Sequence, residues 1–84
     1  MSHKGHSTSI LPDGISRYRQ YRFYKFSFHR AYTHRSVADS AADFLRQQGF
    51  NARVVSIDKW LRGEHYRWAV YKHRSRGRRK GRKR

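Results

Sequence analysis

Tyr21-Arg-Phe-Tyr-Lys-Phe-Ser-Phe-His29 carries five aromatic rings and neither Gly nor Pro. Aromatic side chains fit a pleated, half-buried surface, so the run predicts a strand. Successive side chains of a strand point to opposite faces, which places Tyr24, Phe26 and Phe28 on one side and Tyr21, Phe23, Lys25, Ser27 and His29 on the other. The first set reads as core. The second mixes rings with hydrogen-bond donors and positive charge, the chemistry of a surface that stacks on bases and touches phosphates. Burial of both faces is the competing reading of so aromatic a strand.

Downstream, Ser36 followed by Asp39 reads as an N-cap with its capping-box partner, and Gly49 as the left-handed residue that ends a helix. Between them Val37, Ala41, Phe44, Leu45 and Gln48 recur at helical spacing and form one inward stripe. The polar side of this helix is not basic enough to read a DNA groove. Residues 51–57 predict a second strand, with Ala52 and Val54 inward, or Val55 and Ile57, or both sets through a bulge. Residues 65–73 predict a third, with Tyr66, Trp68 and Val70 on one face and His65, Arg67, Ala69, Tyr71 and His73 on the other. Gly63 makes the connection between them, residues 58–64, a hairpin turn. Trp60 and Leu61 in that connection are expected to cap the end of the core, the alternative being a wedge against bases.

Residues 1–17, with the only proline and few large apolar side chains, read as a flexible N-terminal arm. His3 and His6 are spaced as metal ligands sometimes are, but no cysteine exists and Asp13 is the only carboxylate nearby, so a solvated polar segment is expected. Residues 18–73 form the predicted domain. Residues 74–84 form a tail in which eight of eleven residues are Lys or Arg. Like charges at that density repel, and no apolar side chain offsets the loss of chain entropy, so the tail is expected to be disordered when free.

The predicted fold class is α+β: a three-stranded antiparallel sheet in the order β-α-β-β, with the helix packed on one face. Placing the third strand between the other two makes all neighbours antiparallel and puts the most apolar strand in the middle. The succession of strand, helix, Gly and strand hairpin over residues 21–73 resembles the first half of a ferredoxin-like unit, and also the peptidoglycan-binding SPOR domain. A second helix and a fourth strand are missing, so the resemblance carries no function across. The RNA-recognition domain shares the topology, but residues 22–28 lack the glycine and hydrophobic placements of its signature strand.

The 84-residue chain has 21 Lys and Arg against 5 Asp and Glu, a formal net charge of +16. Self-repulsion of that size calls for a polyanionic partner, and nucleic acid is the expected one, RNA favoured over DNA. No run approaches the ~20 apolar residues of a membrane span, so no membrane partner is expected. Cysteine is absent, which excludes disulfides and the usual zinc staples. The acids show no spacing for a metal cluster and the histidines no partner acid, so the expectation is a non-enzymatic protein without cofactor or metal. Its composition resembles that of ribosomal proteins, which join a small body to a basic arm. A structural component of a ribonucleoprotein, intracellular and associated with the ribosome or nucleoid, is therefore the expected role. A DNA-binding or genome-packaging protein is the alternative within the class, and a SPOR-like protein-interaction or peptidoglycan-binding module the alternative outside it.

The residues expected to contact nucleic acid are Arg22, Phe23, Lys25, His29, Arg67, Tyr71 and His73 on the sheet, with Arg74, Arg76, Arg78, Arg79, Lys80, Arg82, Lys83 and Arg84 in the tail. Phe23, Lys25, Arg67 and Tyr71 are expected to share an open face opposite the helix. The rival expectation is that this face is sealed by Ile10 and Leu11 of the arm, or by a second subunit in a dimer or larger assembly through the sheet.

Overall fold

A computed structural model describes residues 5–21 and 24–74. In chain order the elements are β1 (Ser7–Thr8), β2 (Tyr18–Tyr21), β3 (Tyr24–Tyr32), α1 (Arg35–Gln47), β4 (Phe50–Leu61) and β5 (Glu64–Arg74). The sheet runs β1-β3-β5-β4, with β2 also on β3, and every pairing is antiparallel. β5 thus lies between β3 and β4, as the placement of the most apolar strand predicts. The expected count of three strands is too low: the chain before β3 adds two short ones along its outer edge.

Those two strands are illegible in the sequence because they follow from backbone pairing and not from side-chain pattern. Thr33 donates its backbone N–H to the His6 carbonyl at 2.9 Å, and its hydroxyl accepts the His6 N–H at 2.7 Å. Gly5 beside them has φ +120°, and a Cβ there would sit 2.7 Å from the His34 ring, so only glycine allows this approach.

The helix packs on one face of the sheet. Ala38, Ala42 and Leu45 meet Tyr32, Ala52 and Val70, with Val37, Phe50, Val54 and Trp68 around them. Alanines dominate the seam, so helix and sheet approach closely, and no room remains there for a large ring. Phe44 is accordingly 60% exposed, which corrects the expected stripe by one residue position. The helix also starts earlier than expected. His34 is the N-cap and makes no side-chain capping bond, so Ser36 and Asp39 do not form a capping box; Asp39 pairs with Arg35 at 3.6 Å instead. Gly49, at φ +97°, ends the helix as expected, its N–H donating to the Arg46 carbonyl at 3.1 Å.

The rings occupy the other face. Phe26, Ala69 and Tyr71 form a second buried cluster with Ile15, Tyr21, Phe28, Val55 and Ile57 around it. Phe26 and Phe28 therefore point away from the helix, contrary to the expectation that they face it. A register shift between Phe28 and Arg30 resets the alternation, so that Tyr32 reaches the helix side. Both registers expected for β4 are realised at once: Ala52 and Val54 face the helix, while Val55 and Ile57 face the second cluster.

β4 and β5 continue past the expected ends of their strands to a two-residue turn, Arg62-Gly63, with φ 55° and 83°. Two positive φ values give the turn the twist that a tight hairpin needs. Trp60, expected to cap the core, stands outside it at 68% exposure.

Candidate nucleic-acid interface

The strand register gathers cations at the end of the sheet from which the tail leaves. Phe50 pairs with Arg74, Ala52 with Lys72 and Arg53 with Tyr71, while Ser27 pairs with Lys72 from the other side. β2 brings Tyr18, Arg19 and Tyr21 alongside residues 24–27. Here each cation lies over a ring. Arg53 is 4.3 Å from the Tyr21 centroid and 5.9 Å from that of Phe26. Arg19 is 5.6 Å from Tyr71, and Lys25 is 4.9 Å from Tyr18. Lys72 and Arg74 lie 5.2 and 5.3 Å from Phe50.

Significant pairings of this kind occur about once per 70–80 residues, so this group of cations at one end of a small sheet marks a local concentration. Among the described residues, the ion pairs employ His6, Arg35, Arg46 and His65, and none of the cations at this end. The charge here is therefore held on π-faces and not neutralised by carboxylates. A cation held over a ring has its position partly fixed in advance, and its N–H groups can donate to a phosphate.

An open cleft of about 730 Å³ borders this end along β4, lined by Tyr21, Tyr24, Phe26, Asn51 and Arg53 on one side and by Asp39 and Arg46 on the other. Arg46 donates to the Ala52 carbonyl at 2.8 Å and so covers part of the strand edge.

Of the residues expected to contact nucleic acid, Lys25, His73 and Arg74 belong to this end. His73 is half-buried, its ring 4.9 Å from Tyr24 and 5.5 Å from Phe26. Lys25 is exposed, but the alternation that turns Phe26 away from the helix turns Lys25 to the helix side, not to the opposite face.

Tyr71 does lie opposite the helix, but it is fully buried. Its hydroxyl donates to the Ser16 carbonyl, and burial raises the phenol pKa above its ordinary value. The face is sealed, then, by the arm, through Ile15 and Ser16 and not through Ile10, which is 43% exposed. Tyr71 has no free π-face for a base. His29 sits half-buried at the register shift of β3. Burial lowers its pKa, and Lys72 and Arg30 lower it further. Arg67 is exposed near the β4–β5 turn, away from the tail end. Arg22, Phe23, Arg76, Arg78, Arg79, Lys80, Arg82, Lys83 and Arg84 lie outside the described residues.

Sequence reasoning misses Arg19, Arg53, Lys72, Tyr18, Tyr21 and Tyr24 as members of this end. For Arg53 a signal exists: a register that turns Val55 and Ile57 to the second face turns Arg53 there too. For Arg19 none exists, because β2 shows no apolar alternation.

Among the described residues no three of His, Cys, Asp and Glu group as metal ligands would, and no helix is long and apolar enough to cross a membrane. No family model, no curated protein and no solved structure matches this chain, so the reading of the site rests on its own geometry.

Proposed function

We propose that the protein is a non-enzymatic nucleic-acid-binding protein, a structural component of a ribonucleoprotein, that grips a phosphate backbone with the tail end of its sheet and with the tail itself. The observation that carries this is the set of Arg19, Lys25, Arg53, Lys72 and Arg74, each laid over a ring and absent from the ion pairs of the described residues, at the point where residues 75–84 begin. Cations oriented in this way release counterions from a nucleic acid without first losing rotamer freedom. RNA is favoured over DNA by the resemblance of composition to ribosomal proteins.

The test compares the full chain with an Arg19→Gln/Arg53→Gln double variant on single-stranded RNA, duplex RNA and duplex DNA across a salt series. Both arginines are exposed, so the variant keeps its fold. The reading expects weaker binding to every sequence alike and a salt slope smaller by about 0.7 to 0.9 for each phosphate that the variant no longer neutralises. Tighter binding to duplex DNA than to either RNA favours the genome-packaging alternative. An unchanged slope removes the two arginines from the interface, and no binding to any nucleic acid at physiological salt leaves the SPOR-like interaction module.

A further inference from the structure

The other end of the β4–β5 ribbon holds an aromatic feature of a different kind. Trp60 is the most exposed large hydrophobic side chain among the described residues, at 68%. It pairs across the strands with His65, and the two rings lie nearly parallel, 4° apart with centroids separated by 4.6 Å. Asp58 holds the His65 ring through Nε2. The tight turn at Arg62-Gly63 fixes the relation of the two strands that carry the rings.

A large apolar side chain at a sheet end normally packs inward, and here it does not. One face of the indole rests on the imidazole, and the opposite face is presented to solvent as a flat, oriented plane. Two arginines lie near this face: Arg67, exposed two residues along β5 from His65 and so on the same side of the strand, and Arg62, exposed in the turn itself. Glu64, the other carboxylate here, is 3.7 Å from His6. A flat, exposed π-face with arginines near it matches a nucleobase with its flanking phosphates, because every base has a π-face and a neighbouring negative charge.

We propose that Trp60 is a base-stacking site, at which an unpaired nucleobase adds to the Trp60–His65 stack while Arg62 and Arg67 attend the adjoining phosphates. The proposal rests on the nucleic-acid reading above and extends it to a second point on the molecule. Along β5, His65 and Arg74 stand roughly 30 Å apart at ~3.3 Å per residue. A strand of about nine stacked nucleotides covers that distance at ~3.4 Å each.

The experiment uses the full chain and its Trp60→Ala and Trp60→Phe variants. The probes are an oligouridylate of about 12 nucleotides, an abasic strand of the same length, a fully paired RNA duplex, and vesicles of phosphatidylserine and phosphatidylcholine. The expected result is that the oligouridylate quenches tryptophan emission and that Trp60→Ala removes most of the quenching. The same variant should weaken oligouridylate binding roughly 5- to 150-fold, the equivalent of one stacked base. Binding of the abasic strand and of the duplex, and the melting temperature, should stay as in the wild type, and Trp60→Phe, which keeps a ring, should retain most of the affinity.

Equal affinity of wild type and Trp60→Ala for oligouridylate overturns the stacking site while leaving the nucleic-acid reading in place. A parallel loss on the abasic strand overturns it too, by making Trp60 a support of the fold and not a partner of bases. Failure of the wild type to bind any strand overturns both readings together. A blue shift of the emission on vesicles without quenching by RNA overturns the stacking site and assigns the tip to a membrane surface.

Discussion

Leu45 and Phe44 are neighbours on one helix with opposite environments, 5% and 60% exposed. Leu45→Ala opens a cavity against Ala52 and Val70 and should destabilise the fold by about 2–5 kcal/mol. Phe44→Ala removes a ring that is mostly in water and should change stability by no more than about 1 kcal/mol. Urea denaturation of both variants checks the contrast, and the reverse order would place Phe44 at the seam. The sequence makes the pair hard to separate. Ala38, Ala41 and Ala42 allow a stripe rotated either way, and the larger residue looks like the better candidate for burial. What decides is the facing surface: Ala52 and Val70 on the sheet bring the helix too near for a phenyl ring. The same logic hides Tyr71, whose alternation correctly puts it opposite the helix, while nothing in its own strand shows that Ile15 and Ser16 lie over it.

At the scale of elements, the arm is a layer of the fold from residue 5 to residue 21. Pro12 is fully buried, and Ile15 N–H donates to its carbonyl at 3.2 Å, closing a turn that delivers Ile15 and Ser16 onto the second cluster. Gly14 permits the turn with φ +85°. Removing residues 1–16 should therefore uncover Tyr71, leave its hydroxyl without the Ser16 carbonyl, and lower stability by about 2–4 kcal/mol. Calorimetry or urea denaturation of the shortened chain checks this; wild-type stability would show that the arm contributes nothing to the core. The long elements are legible in advance because each has its own periodicity, and β5 falls in the middle because it is the most apolar. β1 and β2 have no period to read. They exist because Thr33, Phe28 and the β3 edge offer backbone partners, which only the assembled sheet reveals.

At the scale of the whole molecule, the described residues form a slab of 47 × 31 × 16 Å. Asp39 and Asp43 pair along the helix, and Asp58 and Glu64 engage histidines by the turn, which leaves the tail end of the sheet without a carboxylate among the described ion pairs. Deleting residues 75–84 removes seven further positive charges and no apolar side chain. The truncated chain should melt as the full chain does or slightly higher, because self-repulsion falls. Its affinity for nucleic acid should drop for all sequences together, with a shallower dependence on salt. Fluorescence anisotropy across a salt series checks this, and an unchanged slope would mean that the tail touches no phosphate.

The hydrogen bond from Tyr71 to Ser16 joins positions 55 residues apart. A ribosome makes the arm well before the surface on which it rests. β5, the strand that both other long strands need as a neighbour, is completed only at Arg74. Until then β3 and β4 have no partner in common, α1 has only an incomplete sheet to cover, and the rings of β3 remain in water. The two clusters therefore wait for Val70 and Tyr71 to be made, and a nascent chain halted before Val70 carries nearly all the aromatic sequence with neither buried cluster complete.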